Sequence, residues 1–264
     1  MVYVRETGEC LMGASTAKSP REPGYSWNPN RRRRSQSKGS SGGGGRDHVV
    51  TDPAIVAAAM RANSLVKRLF DVVVALGGLV VASPILLTVA LLIWLNDRGP
   101  VLYGHRRVGR QGRPFPCWKF RSMVLDGDAV LAEHFKRFPA AERQWRETQK
   151  LTNDPRVTRV GAIIRKLSID ELPQLWNVLM GEMSIVGPRP ITRAELDRYA
   201  KERRYYLLVR PGITGLWQVS GRSSTTYDRR IELDRLYLVH WSYQQDMMIL
   251  WKTVPAVLKS ENTA

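Results

Sequence analysis

Apolar and polar positions divide this chain unevenly. Up to about residue 63 no apolar period is sustained, and Arg31 to Arg34 give way to Ser-rich and Gly-rich runs through Gly45. Such a stretch buries too little surface to offset its ordering entropy, so residues 1–63 read as a disordered basic tail, with at most a short helix over Ala54–Met60. Val72 to Leu95 is the only run of membrane grade. As a straight helix it would be roughly 36 Å long at 1.5 Å per residue, enough for a hydrocarbon core of about 30 Å. Ser83-Pro84 falls at its centre, where proline removes a backbone bond at a cost of about 3 kcal/mol unless the break is used. Ser83 can back-bond to a freed carbonyl and help set a bend. Lys67 and Arg68 precede the run, and Arg98, Arg106, Arg107, Arg110 and Arg113 follow it. Positive flanks mark the cytoplasmic side of a membrane. With both flanks basic, a re-entrant helical hairpin over residues 64–98 fits better than a single crossing. A buried soluble helix fits least, since nothing else in the chain is apolar enough to surround it.

Residues 99–264 read as a separate body. Gly99–Tyr103 and Gly109–Phe115 give short β-like pieces joined by a glycine turn. Cys117–Met123 alternates basic with apolar residues, which places Lys119 and Arg121 on one strand face; a solvated strand face is the plainer alternative. Asp126–Lys150 is a polar helical pair broken at Pro139, with Leu131, Phe135 and Trp145 as its packing residues. A turn at Asn153–Arg156 leads to a short helix over Gly161–Lys166, and Leu172–Met180 has the apolar spacing of another. A charged helix is expected from Arg193 to about Leu208, then a Gly-rich loop over Pro211–Arg222. Tyr227–Leu258 gives two amphipathic helices whose aromatic residues, Tyr237, Trp241, Tyr243 and Trp251, suit either a core or a membrane interface. The class is an α-rich α+β protein with a small β element.

Charge narrows the partners. The 264 residues carry a formal net charge of +17, which implies nucleic acid, an acidic membrane surface or a phosphorylated substrate. The two cysteines, Cys10 and Cys117, make no disulfide framework, and the four histidines lack metal-ligand spacing. No apolar segment of a secretory signal follows Met1.

The candidate chemistry lies at Asp170-Glu171. The two carboxylates stand just before Pro173, which is best tolerated in a helix's first turn. That places them at the mouth of the following helix, where N–H groups and the dipole favour negative charge. An ionised carboxylate there can serve as nucleophile or metal ligand. Ser168 and Glu171 also fit a capping box, in which the acids serve only the helix end. Arg165 and Arg189 on either side favour the chemical reading, because planar guanidinium forks beside metal-binding carboxylates suit a nucleotide diphosphate.

Together these residues resemble a known family. Lys67-Arg68-Leu69-Phe70-Asp71 before a Ser-Pro-broken apolar segment, Lys119-Phe120-Arg121-Ser122-Met123 and Leu167-Ser168-Ile169-Asp170-Glu171-Leu172-Pro173-Gln174 carry the likeness. So do Gly187-Pro188-Arg189-Pro190, Pro211-Gly212-Ile213-Thr214-Gly215 and Gln218-Val219-Ser220-Gly221-Arg222. The chain from about residue 64 onward resembles the bacterial sugar transferases, monotopic polyprenyl-phosphate phosphoglycosyl transferases, and within them the galactose-1-phosphate transferases that start exopolysaccharide units. Ser122 stands where the family more often has threonine.

The resemblance implies transfer of a hexose 1-phosphate from UDP-galactose or UDP-glucose to undecaprenyl phosphate at the cytoplasmic face of the bacterial inner membrane. Asp170 would be the nucleophile. Asp170 and Glu171 would hold Mg²⁺, which offsets repulsion between carboxylate and diphosphate. Arg165, Arg189 and Arg222 would stabilise phosphoryl and leaving-group charge, with Lys119, Arg121, Pro188 and Pro190 completing the phosphate site. Arg68, Asp71, Ser83 and Pro84 would fix the membrane re-entry. Membrane lipids and downstream glycosyltransferases follow as partners. Nucleic-acid binding explains neither the apolar run nor the paired acids, and no recognised nucleic-acid module is present. An inactive membrane scaffold leaves the Asp170-Glu171 pair without a use.

Overall fold

The computed structural model describes residues 52–148, 151, 153–221 and 225–258. The expected disordered tail up to residue 51 lies outside them. The tail boundary at 63 is too late, because helix α1 (Pro53–Ala62) already belongs to the folded body. Asp52 caps it, and Ala59 packs with Tyr205, Val209 and Leu238. Asn63 behind it donates to the Leu208 carbonyl at 2.9 Å.

Helix α2 (Leu65–Asp97) is the long apolar element, 33 residues with Pro84 inside. The expected hairpin of two arms is not what the chain forms here; the helix continues through the proline. Hydroxyls near the break engage carbonyls, Ser83 Oγ that of Val80 at 2.7 Å and Thr88 Oγ1 that of Pro84 at 2.8 Å. Such side-chain bonding makes a proline tolerable within a helix.

One stripe of α2, Lys67, Asp71, Ala75, Val89 and Ile93, is buried. Other faces expose Leu65, Val66, Val73, Val80, Val81 and Leu87. The buried stripe is fastened at both ends. At the start, Lys67 Nζ sits 2.7 Å from Asp71 and 3.2 Å from Asp246, all almost wholly buried. Asp71 also accepts from Ser184 Oγ and the Ile185 amide at 3.0 and 3.1 Å. Near the far end, Val89 and Ile93 pack with Phe120 and Ile164, and Arg121 grips Asp97 with two nitrogens at 2.7 and 2.5 Å.

Strands β1 (Leu102–Val108) and β2 (Pro114–Phe120) form an antiparallel hairpin, turned by a 3₁₀ segment at Arg110–Gly112. The turn therefore occupies part of the stretch expected as strand, and β2 starts later. Helices α3 (Gly127–Arg137) and α4 (Pro139–Thr148) are the expected polar pair, with Leu131 buried and the Phe135 and Trp145 rings 6.5 Å apart. Next come α5 (Arg159–Lys166), α6 (Gln174–Met180) and strand β3 (Ser184–Val186).

The single helix expected over 193–208 is instead α7 (Arg193–Arg198), a 3₁₀ turn at Ala200–Glu202 and α8 (Arg203–Tyr206). Ala200 takes a positive φ of 44°, which no α-helix contains. The expected Gly-rich loop likewise contains a strand, β4 (Gly212–Thr214), parallel to β3. Its glycines serve close approach: a Cβ on Gly212 would strike the Gly187 amide, and one on Gly215 the Gly187 carbonyl. Helices α9 (Leu216–Val219), α10 (Tyr227–Val239) and α11 (Tyr243–Leu258) complete the body. The aromatic residues there divide: Tyr237 and Trp241 are core, whereas Trp251 is 82% exposed. The main core joins Ala75 of α2, Phe115 and Cys117 of β2, Leu175 and Val178 of α6, and Ile249 of α11.

Candidate active site

Thr158 caps α5 by accepting from the Gly161 amide at 2.8 Å, and Gly161 lies so close to the Ser122 carbonyl that any Cβ would collide. After α5 the chain reverses at Ser168, which adopts the left-handed region at φ 56°. The 3₁₀ turn Ile169–Glu171 follows, and α6 begins only after Pro173. The carboxylates thus precede the helix by a turn. The capping box does not form, since Ser168 makes no side-chain cap bond and only its carbonyl meets the Glu171 amide, at 3.3 Å. A left-handed non-glycine residue costs of order 1–3 kcal/mol and marks a place where local geometry is imposed by its surroundings.

Two cations converge on one oxygen. Lys119 Nζ lies 2.6 Å from Glu171 Oε1, and Arg189 Nη2 lies 3.2 Å from the same atom. Lys119 also stands 3.8 Å from Asp170 Oδ2. Burial would raise the Glu171 carboxyl, but the charges of Arg189 and Lys119 and their hydrogen bonds overcome it and hold it near 2. Asp170 moves the other way: burial raises it, Lys119 opposes, and the Glu171 charge adds to the rise. The neighbours are therefore differentiated. Glu171 stays anionic and organises the cations, while Asp170 keeps the greater proton affinity.

Lys119 owes its place to a residue that sequence reasoning passed over. Asn177, fully buried in α6, accepts from the Trp118 amide at 3.0 Å and donates to the Pro116 carbonyl at 2.7 Å. Its amide also reaches Glu182 Oε2 at 2.6 Å. It reads the backbone of β2 as a neighbouring strand would, immediately before Lys119. An amide within the apolar spacing of Leu172–Met180 was the available signal.

Arg189 is presented by the turn after β3. The Gly212 amide donates to the Pro188 carbonyl at 2.7 Å, and Pro188 and Pro190 on either side are buried and limit the backbone. The prolines shape the turn; the arginine makes the contact. Arg165, in the last turn of α5, acts on Asp170 through its charge. Arg121 is turned away to Asp97, so the structure does not bring it to the carboxylates with Lys119. Arg222 lies outside the described residues. Arg68 binds the Val178 and Leu179 carbonyls at 2.5 and 2.8 Å, tying the start of α2 to the end of α6. Asp71 belongs to the buried Lys67 network, and Ser83 and Pro84 to the middle of α2.

Among the described residues no group of three or more His, Cys, Asp or Glu side chains could cage a metal ion. Asp170 and Glu171 alone suit Mg²⁺, which is usually held by one or two carboxylates together with substrate phosphates. Both cations crowd Glu171 Oε1, so a metal bound here would be left the other Glu171 oxygen and Asp170 as donors.

Adjacent carboxylates of unequal basicity, bracketed by a lysine and an arginine, suit an enzyme that handles a phosphorylated substrate. The bacterial sugar transferase family model matches residues 62–260, and this chain belongs to that family, as a sugar-phosphate transferase. It is 48% identical over 211 residues to the exopolysaccharide production protein ExoY of Sinorhizobium fredii, covering 80% of this chain and 93% of that protein. It is 49% identical over 206 residues to the undecaprenyl-phosphate galactose phosphotransferase of Salmonella typhimurium, covering 77% of this chain and 42% of the relative. The UDP-glucose:undecaprenyl-phosphate glucose-1-phosphate transferase of Escherichia coli is 41% identical over 201 residues, with 73% and 40% covered.

Proposed function

We propose that the protein transfers a hexose 1-phosphate from a UDP-sugar to undecaprenyl phosphate in the first membrane step of exopolysaccharide synthesis, with galactose the preferred sugar. The relative named for galactose is 49% identical and that named for glucose 41%, which supports the preference. The product, a lipid diphosphosugar, would feed downstream glycosyltransferases.

The observation that carries the mechanism is the convergence of Lys119 and Arg189 on Glu171 beside Asp170. A carboxylate oxygen of Asp170 attacks the sugar-linked phosphorus. The bond from that phosphorus to the bridging oxygen breaks, and its electron pair leaves with UMP. An oxygen of undecaprenyl phosphate then attacks the same phosphorus and releases the Asp170 carboxylate. Two displacements through an enzyme acyl phosphate divide one difficult transfer between anions into easier halves. Lys119 and Arg189 stabilise charge on the transferred group, and Arg165 and Arg222 extend that positive field. When bound, Mg²⁺ supplies further neutralisation between carboxylate and diphosphate.

Anchoring follows from α2. Its two ends are held by the same body, through Lys67 and Asp71 at one and Asp97 at the other. We read the helix as re-entering the cytoplasmic face, which places cytosolic donor and membrane-embedded acceptor at one site. The test is UMP release from a panel of UDP-sugars, with and without undecaprenyl phosphate. Release and lipid-linked product with UDP-galactose are expected; no release with any UDP-sugar would remove the proposal.

A further inference from the structure

One charged residue outside the cluster described above shares its wall. The β1–β2 register sets Arg107 opposite Phe115, His105 opposite Cys117 and Tyr103 opposite Lys119. Directly paired residues in an antiparallel ladder project from the same face. Arg107 therefore stands on the face from which Lys119 reaches Glu171. At the end of β1, Val108 bridges to Ile191, its amide donating to the Ile191 carbonyl at 2.9 Å, so the strand runs directly into the turn that carries Arg189. Burial raises the thiol of Cys117, the residue paired with His105 on this face; the charges of Lys119, Arg107 and Arg189 oppose that rise and the Glu171 charge adds to it.

The Arg107 guanidinium is held from two sides. Its Nη1 lies 3.0 Å from Glu195 Oε2, the oxygen that also accepts from the Thr192 amide at 2.7 Å in the capping box of α7. Its Nη2 lies 3.5 Å from His105 Nδ1. The side chain nevertheless keeps 19% exposure. A guanidinium fixed at one edge and still reached by solvent is preorganised to meet an oxyanion with its remaining donors. The other two cations are committed to Glu171 Oε1. A donor with two phosphates brings one that is transferred and one that stays on the nucleotide, and the second needs a cation of its own.

We propose that Arg107 contacts the phosphate that remains on the nucleotide, beside the transferred group that Lys119 and Arg189 stabilise. The assignment rests on the UDP-sugar reading above. Glu195 and His105 are its positioning residues: the carboxylate orients Nη1, and the ring backs Nη2.

Titration calorimetry with UMP tests it, using the full-length protein in nanodiscs as wild type, Arg107→Gln and Glu195→Gln. Loss of a charge-assisted phosphate contact should weaken UMP binding by about tenfold to a hundredfold in Arg107→Gln. The UMP burst with UDP-sugar alone should fall alongside. Glu195→Gln keeps the guanidinium and an amide oxygen for the capping box but loosens the hold on Nη1, so UMP affinity should fall by clearly less than in Arg107→Gln. If the arginine only braces α7, both substitutions will lower UMP affinity and thermal stability equally, and the proposal is overturned. Unchanged UMP affinity in Arg107→Gln overturns it too, including the case where only the KM for undecaprenyl phosphate rises, which would assign Arg107 to the acceptor. Wild-type protein that releases UMP while its Arg107 variant binds UMP normally removes this assignment alone. Absence of UMP release from the wild type removes the donor reading itself.

Discussion

Asp170 and Glu171 share a turn, and their protonation moves in opposite directions. Their replacements should accordingly differ. Asp170→Asn keeps shape and loses the attacking anion, so both the donor-only phosphosugar adduct and turnover should vanish, as read by intact-protein mass spectrometry. Glu171→Gln leaves Lys119 and Arg189 without the oxygen that gathers them, and should slow adduct formation while traces persist at high Mg²⁺. Unmodified Asp170 alongside full activity once lipid is added would sink the covalent route. Asp234 gives a pH effect at the same scale. Burial pushes its carboxyl up to about 7, against the Tyr199 hydroxyl at 2.8 Å and the charge of Arg189, which pull it down. The folded protein then binds a proton that the unfolded chain releases near 3.8. This contribution is fully present below that value and is lost as pH rises through about 7, by up to about 4 kcal/mol. Denaturant unfolding at pH 5 and pH 8 should show Asp234→Asn gaining on wild type only at the higher pH. An equal difference at both would exclude an ionising Asp234.

The join between β2 and α6 is where an element, rather than a residue, sets the chemistry. Asn177→Ala leaves the Trp118 amide and Pro116 carbonyl without their partner and should cost about 2–4 kcal/mol of stability. If the join works by aiming Lys119, the fall in kcat from Asn177→Ala should shrink once Lys119→Ala is present. Additive losses in that double-mutant cycle would reduce Asn177 to general support. The same join shows why the sequence was legible only in part. The periodic stretches α11 and the α3–α4 pair were readable because many positions repeat one message. Strands β3 and β4 have three residues each, too few to show alternation, and only their pairing makes them strands. Asp170 and Glu171 were legible as adjacent acids beside a proline. Lys119 reaches Glu171 across 52 positions of sequence, and Asn177 clamps Trp118 across 59, so neither contact has a local signature. Arg121 misled because strand parity puts it with Lys119, whereas it follows the last residue of β2 and is free to turn to Asp97.

For the whole molecule the governing fact is how α2 meets the body. At 1.5 Å per residue its 33 residues extend roughly 50 Å if straight, more than a hydrocarbon core of about 30 Å. A crossing helix would carry one end away from a body lying on one side. Here the Lys67 end is locked by Asp246 and Ser184, and the Asp97 end by Arg121. Ala75, Val89 and Ile93 are buried between them. Drawing the Lys67 end across the bilayer would separate a buried charge from its partners, a penalty of about 3–5 kcal/mol for a pair of this kind. The Asp97 end is tied to the body by the pair that Arg121 makes with the exposed Asp97. Both ends should therefore lie on the cytoplasmic side. Leu65 and Leu102, 83% and 46% exposed, flank the helix and tolerate a reporter. With Cys10 and Cys117 replaced by Ser, Leu65→Cys and Leu102→Cys should each resist a membrane-impermeant maleimide on intact cells and react after permeabilisation. Replacing Ser83 and Pro84 together by Leu removes the proline and hydroxyl from the middle of the apolar run and should make one of the two sites reactive in intact cells, with loss of activity. If either site is labelled in the otherwise unaltered protein, α2 crosses the membrane and the re-entrant reading fails.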